Sequence, residues 1–426
     1  MAIMKNTGML WLGQIPVDWE LGKVKYAFNR KKEKSTEKDP TVLSLARTGV
    51  KVRDISTNEG QLAASYEGYN PVEPNDLLLN PMDLVSGANC SISKVSGVIS
   101  PAYVNLRAKI GFEPRYYDYY FKTQYWNMGF FAHGKGVSFE NRWTLNDATL
   151  KDYYIPMPLL SEQQTIADYL DETCSKIDEI IAEAKASIDE YKELKQSVIF
   201  EAVTKGLDKN VEFIDSGDEW LGEYPKSYNI GQLSMLSNIV RGGSPRPAGD
   251  PRYYGGNISF MRISDITKDD NIYVNSCENT ITEEGLTRTR MIPPNTLLLT
   301  NSGATLGVPK INTFETAFND GIAAFLDLDE RLNIVYVYFF LKARTSYFLE
   351  CASMGMGQPN LNTDIIGRTK IVFPTLVEQQ NVVSYLEDRC GKLNSLISEK
   401  ESLIKDLESY KKSLIYEVVT GKRRVV

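Results

Sequence analysis

The chain has 426 residues, 48 Lys or Arg against 55 Asp or Glu, and is 42% hydrophobic and 24% charged, an ordinary globular composition long enough for two to four domains. The longest nearly unbroken apolar run, Leu332 to Leu341, is far short of a membrane span, and no basic-then-apolar leader opens the chain, so a cytoplasmic protein is expected. Five cysteines without a Cys-x-x-Cys spacing argue against a disulfide framework or a cysteine-rich zinc site, one histidine excludes multi-histidine metal sites, and a net charge of −7 excludes a uniformly basic surface.

The first half opens on Trp11-Leu12-Gly13-Gln14-Ile15-Pro16. A mixed α/β block follows, with short strands predicted at 41–45 and 76–80 between Gly, Pro and Asn turn clusters. Its basic candidates for a DNA-facing surface are Arg30, Lys31, Lys32 and Lys34, then Arg47, Lys51 and Arg53, although a charge run is usually a solvated face. Pro74-Asn75-Asp76-Leu77-Leu78-Leu79 precedes Ser86-Gly87, a buried strand feeding a small-residue loop. Such a loop lets backbone amides approach a phosphate, which makes Ser86 a candidate, and a tight structural turn accounts for it equally well. The block closes on Gly136 to Leu145, where Arg142 and Thr144 are polar candidates beside the final strand.

From about Glu162 to about Thr204 the pattern is helical, and Pro158 suits its start. Leu170, Cys174, Ile177, Ile181, Ala184, Ile188, Tyr191, Leu194 and Val198 recur at three- and four-residue steps on one stripe. At about 1.5 Å per residue the helix is on the order of 60 Å long, too long for one small domain. Residues 161–206 carry 5 basic and 11 acidic groups, against 19 and 16 in residues 1–160.

The second half opens on Trp220-Leu221-Gly222-Glu223-Tyr224-Pro225 and repeats the plan. Its loop from Arg241 to Gly256 packs Arg241, Arg246, Arg252, Tyr253 and Tyr254 among Gly and Pro, with Ser244 beside them. Arginine can bridge guanine O6 and N7 or clamp phosphate, and tyrosine can donate to phosphate, so this is a candidate groove loop. Strands are expected at 258–263 and 296–300, and Pro294-Asn295-Thr296-Leu297-Leu298-Leu299 leads into Ser302-Gly303-Ala304-Thr305, adding Ser302 and Thr305. Gln358 and Asn360 stand where Arg142 and Thr144 stand in the first half. The closing helix carries the stripe Leu386, Cys390, Leu393, Ile397, Lys400, Ile404, Leu407, Tyr410 and Leu414, after Pro374. Residues 207–376 carry 15 basic and 20 acidic groups and 377–426 carry 9 and 8, so any DNA-facing surface is local.

The chain is therefore written twice. Ile155 to Gln164 matches Ile371 to Gln380 at an offset of 216, and so do Tyr169-Leu170 with Tyr385-Leu386, Cys174 with Cys390, and Phe200 to Thr204 with Tyr416 to Thr420. The division expected is a first variable block over 1–157, a first helix over 158–206, a second block over 207–373 and a second helix over 374–426. If the second helix returns along the first, the result is α+β, a pseudo-twofold pair of mixed α/β domains separated by an antiparallel two-helix coiled coil. Its seam is Leu170, Ile177, Ile181, Ile188 and Tyr191 against Leu386, Leu393, Ile397, Ile404 and Leu407. That geometry suits two half-sites about 34 to 36 Å apart on B-DNA.

Catalytic parts are missing. Asn80-Pro81-Met82-Asp83 lacks the second proline and the aromatic of an amino-methyltransferase motif, Gly303 to Lys310 lacks the spacing of a P-loop, and His133 has no Gly-x-Ser-x-Gly elbow to serve.

Pro158 to Gln164 and Pro374 to Gln380, the Tyr-Leu and Thr-Gly ends of the helices, the duplicated Trp-Leu-Gly-x-x-Pro and Gly97 to Tyr103 together resemble the specificity subunit of type I restriction-modification enzymes, over essentially the whole chain. The resemblance implies a non-catalytic reader of a bipartite double-stranded DNA target, one domain per half-site. It also implies two methyltransferase subunits and restriction subunits as partners, which would use S-adenosylmethionine, ATP and Mg²⁺, with no cofactor or metal in this chain and no membrane. The net charge of −5 in the second block predicts tight DNA binding only in the assembled complex. The alternative is a coiled-coil adaptor that reads no DNA.

Overall fold

A computed structural model describes residues 3–56, 63, 65–137, 143–353 and 360–425, with only the backbone at 351–353. The chain forms two compact units, residues 1–185 with 401–426 and residues 186–400. Each is mixed α/β and holds part of both long helices, Leu160–Lys205 and Leu376–Val419.

In the first unit, four antiparallel strands lie in the order Phe28–Lys31, Val104–Ala108, Leu77–Leu79, Cys90–Ile92. The run Leu77-Leu78-Leu79 is apolar throughout because both faces are covered. Leu77 and Leu79 face the main core with Tyr116, Tyr117, Tyr120 and Phe121 of the helix Pro114–Trp126, and Leu78 faces Leu43, Leu45, Val72 and Ile99.

The second unit repeats this order with Asn238–Arg241, Ile322–Leu326, Leu297–Thr300 and Pro309–Asn312, and adds Tyr273–Val274 in parallel at the edge. Leu297 and Leu299 face the main core, and Leu298 packs with Met261, Ile292 and Phe318. The strand expected over 258–263 is Tyr254–Met261 instead. Ile263 opens a short helix, Ile263–Thr267, because the Asp265 carboxylate accepts a hydrogen bond from the Arg262 amide at 2.7 Å. The other three expected strands are Leu43–Ala46, Leu77–Leu79 and Leu297–Thr300.

The two long helices meet differently in the two units. In the first, Ile166, Leu170, Cys174, Ile177 and Ile181 share a core with Leu414, Ile415, Val418 and Val419, and Ile404 and Leu407 pack against it. In the second, Ile199, Ala202 and Val203 share a core with Val382, Val383, Leu386 and Cys390. The start of one helix thus packs on the end of the other in each unit, so the pair is antiparallel. One tyrosine per unit ties this pair to its α/β domain: Tyr116 donates to the Val419 carbonyl and Tyr336 to the Val203 carbonyl, each at 2.8 Å.

The expected stripe is corrected at one repeat position. Leu194 and Tyr410 are 45% and 48% exposed, and the residues that follow them are less so, Lys195 being buried and Lys411 half-buried. Lys195, 9% exposed, donates to Asp270 at 2.5 Å and Asn394 at 2.8 Å, and Lys411 pairs with Asp178 at 2.6 Å. Each lysine lays its aliphatic stem in the seam and carries its ammonium to a carboxylate. Ile188 and Leu393 are buried, while Tyr191 and Ile397 are half-buried. Among the described residues no helix is long and apolar enough to cross a membrane, and no group of three or more His, Cys, Asp or Glu is placed to hold a metal ion.

Candidate nucleic-acid interface

In the first unit, Leu79 lies opposite Val104 and Lys31 opposite Asn105, so the ends of these strands share one edge of the sheet. The opposite edge, at Ala108, leads into the helix Pro114–Trp126, whose start is bonded to the first long helix: the Gln163 side chain accepts from the Glu113 amide at 2.9 Å. The candidate loops therefore leave the sheet at the edge away from the long helices.

Arg47 occupies the turn between the strands Leu43–Ala46 and Gly49–Val52 and is exposed. Its Cδ lies 3.7 Å from where a Cβ on Gly87 would stand, an ordinary contact distance, and Gly87 has a φ of +128°, so the glycine is required by the turn. Ser86 is tied to Asp83 by its hydroxyl and, at 3.1 Å, by its amide. Burial raises the Asp83 pKa, and the donors Ser86 and Asn89 outweigh it, so the carboxyl sits below its ordinary value. Lys51 is exposed and Arg53 half-buried on the same hairpin. Thr144 pairs with Lys135 across an isolated bridge, and the next amide, Leu145, donates to the Pro81 carbonyl at 2.9 Å, which brings Thr144 and Lys135 to the same loop.

The other basic candidates divide. Arg30 and Lys32 both pair with Asp147, and Lys31 pairs with Glu33 at 2.9 Å, so their charge is partly answered inside the domain. Burial raises the Asp147 pKa, and Lys32 and Arg30 more than reverse this, to about 2. Lys34 is exposed. Arg142 and Gln358 lie outside the described residues.

In the second unit the same edge carries Arg241, the turn Asn319-Asp320-Gly321, and Ser302. Arg241 Nε donates to the Asp320 carbonyl at 2.5 Å and the Ser244 hydroxyl to the Asp320 carboxylate at 2.6 Å. A Cβ on Gly242 would stand 2.3 Å from two backbone oxygens, so only glycine lets this strand end pass the turn. Ser302 bridges to Asn360. Thr305 is exposed, and its carbonyl accepts from Thr300 at 2.6 Å.

Arg246 is exposed, and Arg252 is exposed but held by Asp250, its Nη2 2.8 Å from the carboxylate, over the Tyr253 ring. The tyrosines do not face outward as the loop composition suggested. Tyr253 is buried, and Tyr254 begins a strand and donates to the Pro245 carbonyl at 2.8 Å, so both hold the loop.

Sequence reasoning missed Lys135, Asp83 and Asp320. Asn319-Asp320-Gly321 is a recognisable turn signal, whereas the role of Asp83 depends on partners its sequence neighbourhood does not announce. His133 is structural: its ring lies edge-on to Trp11 at 4.3 Å, and its Nδ1 is 2.8 Å from the Gly129 carbonyl oxygen. In the second unit Arg344 covers the repeated tryptophan, Trp220, at 4.5 Å and pairs with Asp218.

Comparison with known proteins fits this arrangement. Residues 89–190 and 225–406 match the family described as the type I restriction modification DNA specificity domain, and the chain belongs to that family. It is 28% identical over 174 residues to the type I restriction enzyme MjaIX specificity subunit of Methanocaldococcus jannaschii, 39% of this chain and 40% of that one. It is 23% identical over 390 residues to the EcoBI specificity subunit of Escherichia coli, 87% of this chain and 79% of that one. The chain spans about half the length or less of some of the curated relatives it matches.

The fold is that of a chain solved in work on complex assembly and conformational transition of the type I R-M system, with a TM-score of 0.73, 13% identity and coverage of 95% and 98%. It is also that of the HsdS subunit from Thermoanaerobacter tengcongensis, with a TM-score of 0.54, 14% identity and coverage of 96% and 98%.

Proposed function

We propose that this chain reads a bipartite double-stranded DNA target, one α/β domain per half-site, and recruits methyltransferase and restriction subunits without catalysing a step itself. The observation that carries the reading is the repeated sheet edge. In each unit the candidate loops leave the edge opposite the long helices, and they carry Arg47, Lys135 and Thr144 in one and Arg241, Arg246 and Ser302 in the other. Phosphate contacts from such arginines and lysines position a protein on DNA, and side chains at the loop tips read base edges.

Two copies of one partner are supported by the outer faces of the helices. Ile180 and Leu194 on the first helix and their counterparts 216 residues on, Leu396 and Tyr410, are all exposed, so the same apolar positions are offered twice. The partners would supply S-adenosylmethionine, ATP and Mg²⁺ chemistry.

The test is selection of bound duplexes from a random pool by this chain copurified with its methyltransferase subunit. The reading predicts enrichment of one sequence with two constant parts and a fixed gap. Enrichment of a single uninterrupted part, or none, would contradict it.

A further inference from the structure

The loop between the strands Leu77–Leu79 and Cys90–Ile92 presents two apolar side chains to solvent. Met82 is 49% exposed and Val85 61% exposed, while Leu84 between them is buried in the main core. A single exposed apolar residue is ordinary. Here the exposure is built, because the backbone around both residues is fixed on every side. The Asn80 carboxamide oxygen accepts from the amides of Met82 at 3.0 Å and Asp83 at 3.3 Å. Asp83 in turn accepts from the Ser86 amide and hydroxyl and from Asn89 at 2.9 Å. The Asn80 carbonyl accepts from Tyr125 at 2.7 Å and the Pro81 carbonyl from Leu145 at 2.9 Å. With Leu84 as an anchor, the loop cannot turn Met82 and Val85 inward without breaking this network.

The surroundings are cationic. Arg47 lies over Gly87 at the far end of the loop, and Lys135, bridged to Thr144, stands beside Pro81 through Leu145. The second unit has a loop at the same place with a different frame and a different tip: the Thr300 hydroxyl donates to the Thr305 carbonyl at 2.6 Å and accepts from the Val308 amide at 2.8 Å. Leu306 is buried as Leu84 is, and the exposed residues before it are Ala304 and Thr305. A large apolar tip in one half and a small, partly polar tip in the other, at the same place on the repeated sheet, suit the reading of two unlike half-sites.

We propose that Met82 and Val85 are specificity-determining residues that contact thymine methyl groups in the major groove of one half-site. The inference rests on the DNA-reading function proposed above and adds the chemistry of recognition in the first domain. The thymine C5 methyl is the apolar feature of the major groove, and a rigid loop places side chains against it without the entropy loss of ordering them on binding. Arg47 and Lys135 hold the flanking phosphates.

The experiment uses the complex with its methyltransferase subunit and the target found by selection. Each thymine of the target, on either strand, is replaced in turn by uracil, which removes only the methyl group. The native complex is expected to lose about fourfold in affinity per contacted methyl at one or two neighbouring positions in one half-site, the effect of withholding one methyl from burial. With Met82→Ala and Val85→Ala together, those positions become indifferent to uracil, while discrimination in the other half and the thermal midpoint stay as in the native protein. Indifference of the native complex to uracil everywhere overturns the proposal, and so does a double variant that keeps the full thymine dependence. Absence of any sequence preference in the native complex would overturn the parent reading, an outcome distinct from either.

Discussion

Gln163 and Gln379, 216 positions apart and both buried, make the same pair of hydrogen bonds. Gln163 donates to the Pro158 carbonyl at 2.8 Å and accepts from the Glu113 amide at 2.9 Å. Gln379 donates to the Pro374 carbonyl at 2.9 Å and accepts from the Asn333 amide at 2.7 Å. Each side chain thus joins the start of a long helix to the start of a domain helix, satisfying backbone groups that a helix end leaves open. The duplicated Glu-Gln-Gln motif is a joint between α/β domain and long helix.

Replacing Gln163 with alanine strands an amide and a carbonyl, and replacing Gln379 strands an amide and two carbonyls, those of Pro374 and Arg331, so we expect each variant to lose about 1–3 kcal/mol. Gln164→Ala, at the exposed neighbouring position, should change stability by less than about 0.5 kcal/mol. Urea denaturation of the three variants measures this.

The helix seam gives a graded prediction. Ile181→Asp buries a charge among Leu170, Cys174 and Ile177, and is expected to cost more than about 3 kcal/mol or to abolish folding of the first unit. Ile397→Asp, at a half-buried position, costs less, and Leu194→Asp, at an exposed one, stays within about 0.5 kcal/mol. Thermal unfolding ranks them, and equal losses at Ile181 and Leu194 would refute the corrected seam.

Asp270 holds two lysines, Lys195 and Lys342, each at 2.5 Å. Burial raises its pKa, and the Lys342 and Lys195 ammoniums more than reverse this, to about 2 from the ordinary 3.8. Because the folded value is below the unfolded one, the stabilisation is complete above about pH 4 and is lost as pH falls toward 2. The pH dependence of denaturant midpoints should therefore flatten in that window for Asp270→Asn relative to the native chain. At neutral pH the same variant is destabilised because Lys195 is left buried without its carboxylate.

Arg246 and Arg252 are predicted to differ. Arg246→Ala should lower the DNA affinity of the assembled complex and reduce the slope of log affinity against log salt by about one. Arg252→Ala should do less, since Asp250 already engages its guanidinium. Arg246→Ala together with Arg252→Ala leaves assembly with the methyltransferase subunit intact, as size-exclusion chromatography would show.

Local signals made the repeat, the long helices and the buried Leu-Leu-Leu strands legible, because apolar spacing and a fixed offset of 216 survive in the sequence. Lys195 was not legible, since its burial is decided by Asp270, 75 residues away in a loop. Tyr253 and Tyr254 misled because glycine and proline around them read as an open loop, while Tyr253 is buried and Tyr254 begins the strand Tyr254–Met261. The outward placement of Met82 and Val85 was not legible either, since it depends on the hydrogen-bonded frame of their loop.

The most direct measurement is methylation mapping of DNA from cells expressing this chain with its methyltransferase subunit, and each alone. The account predicts adenine methylation at one bipartite sequence with a fixed gap, present only when both are expressed. Methylation at the same sites without this chain, or none despite a stable complex, would contradict it.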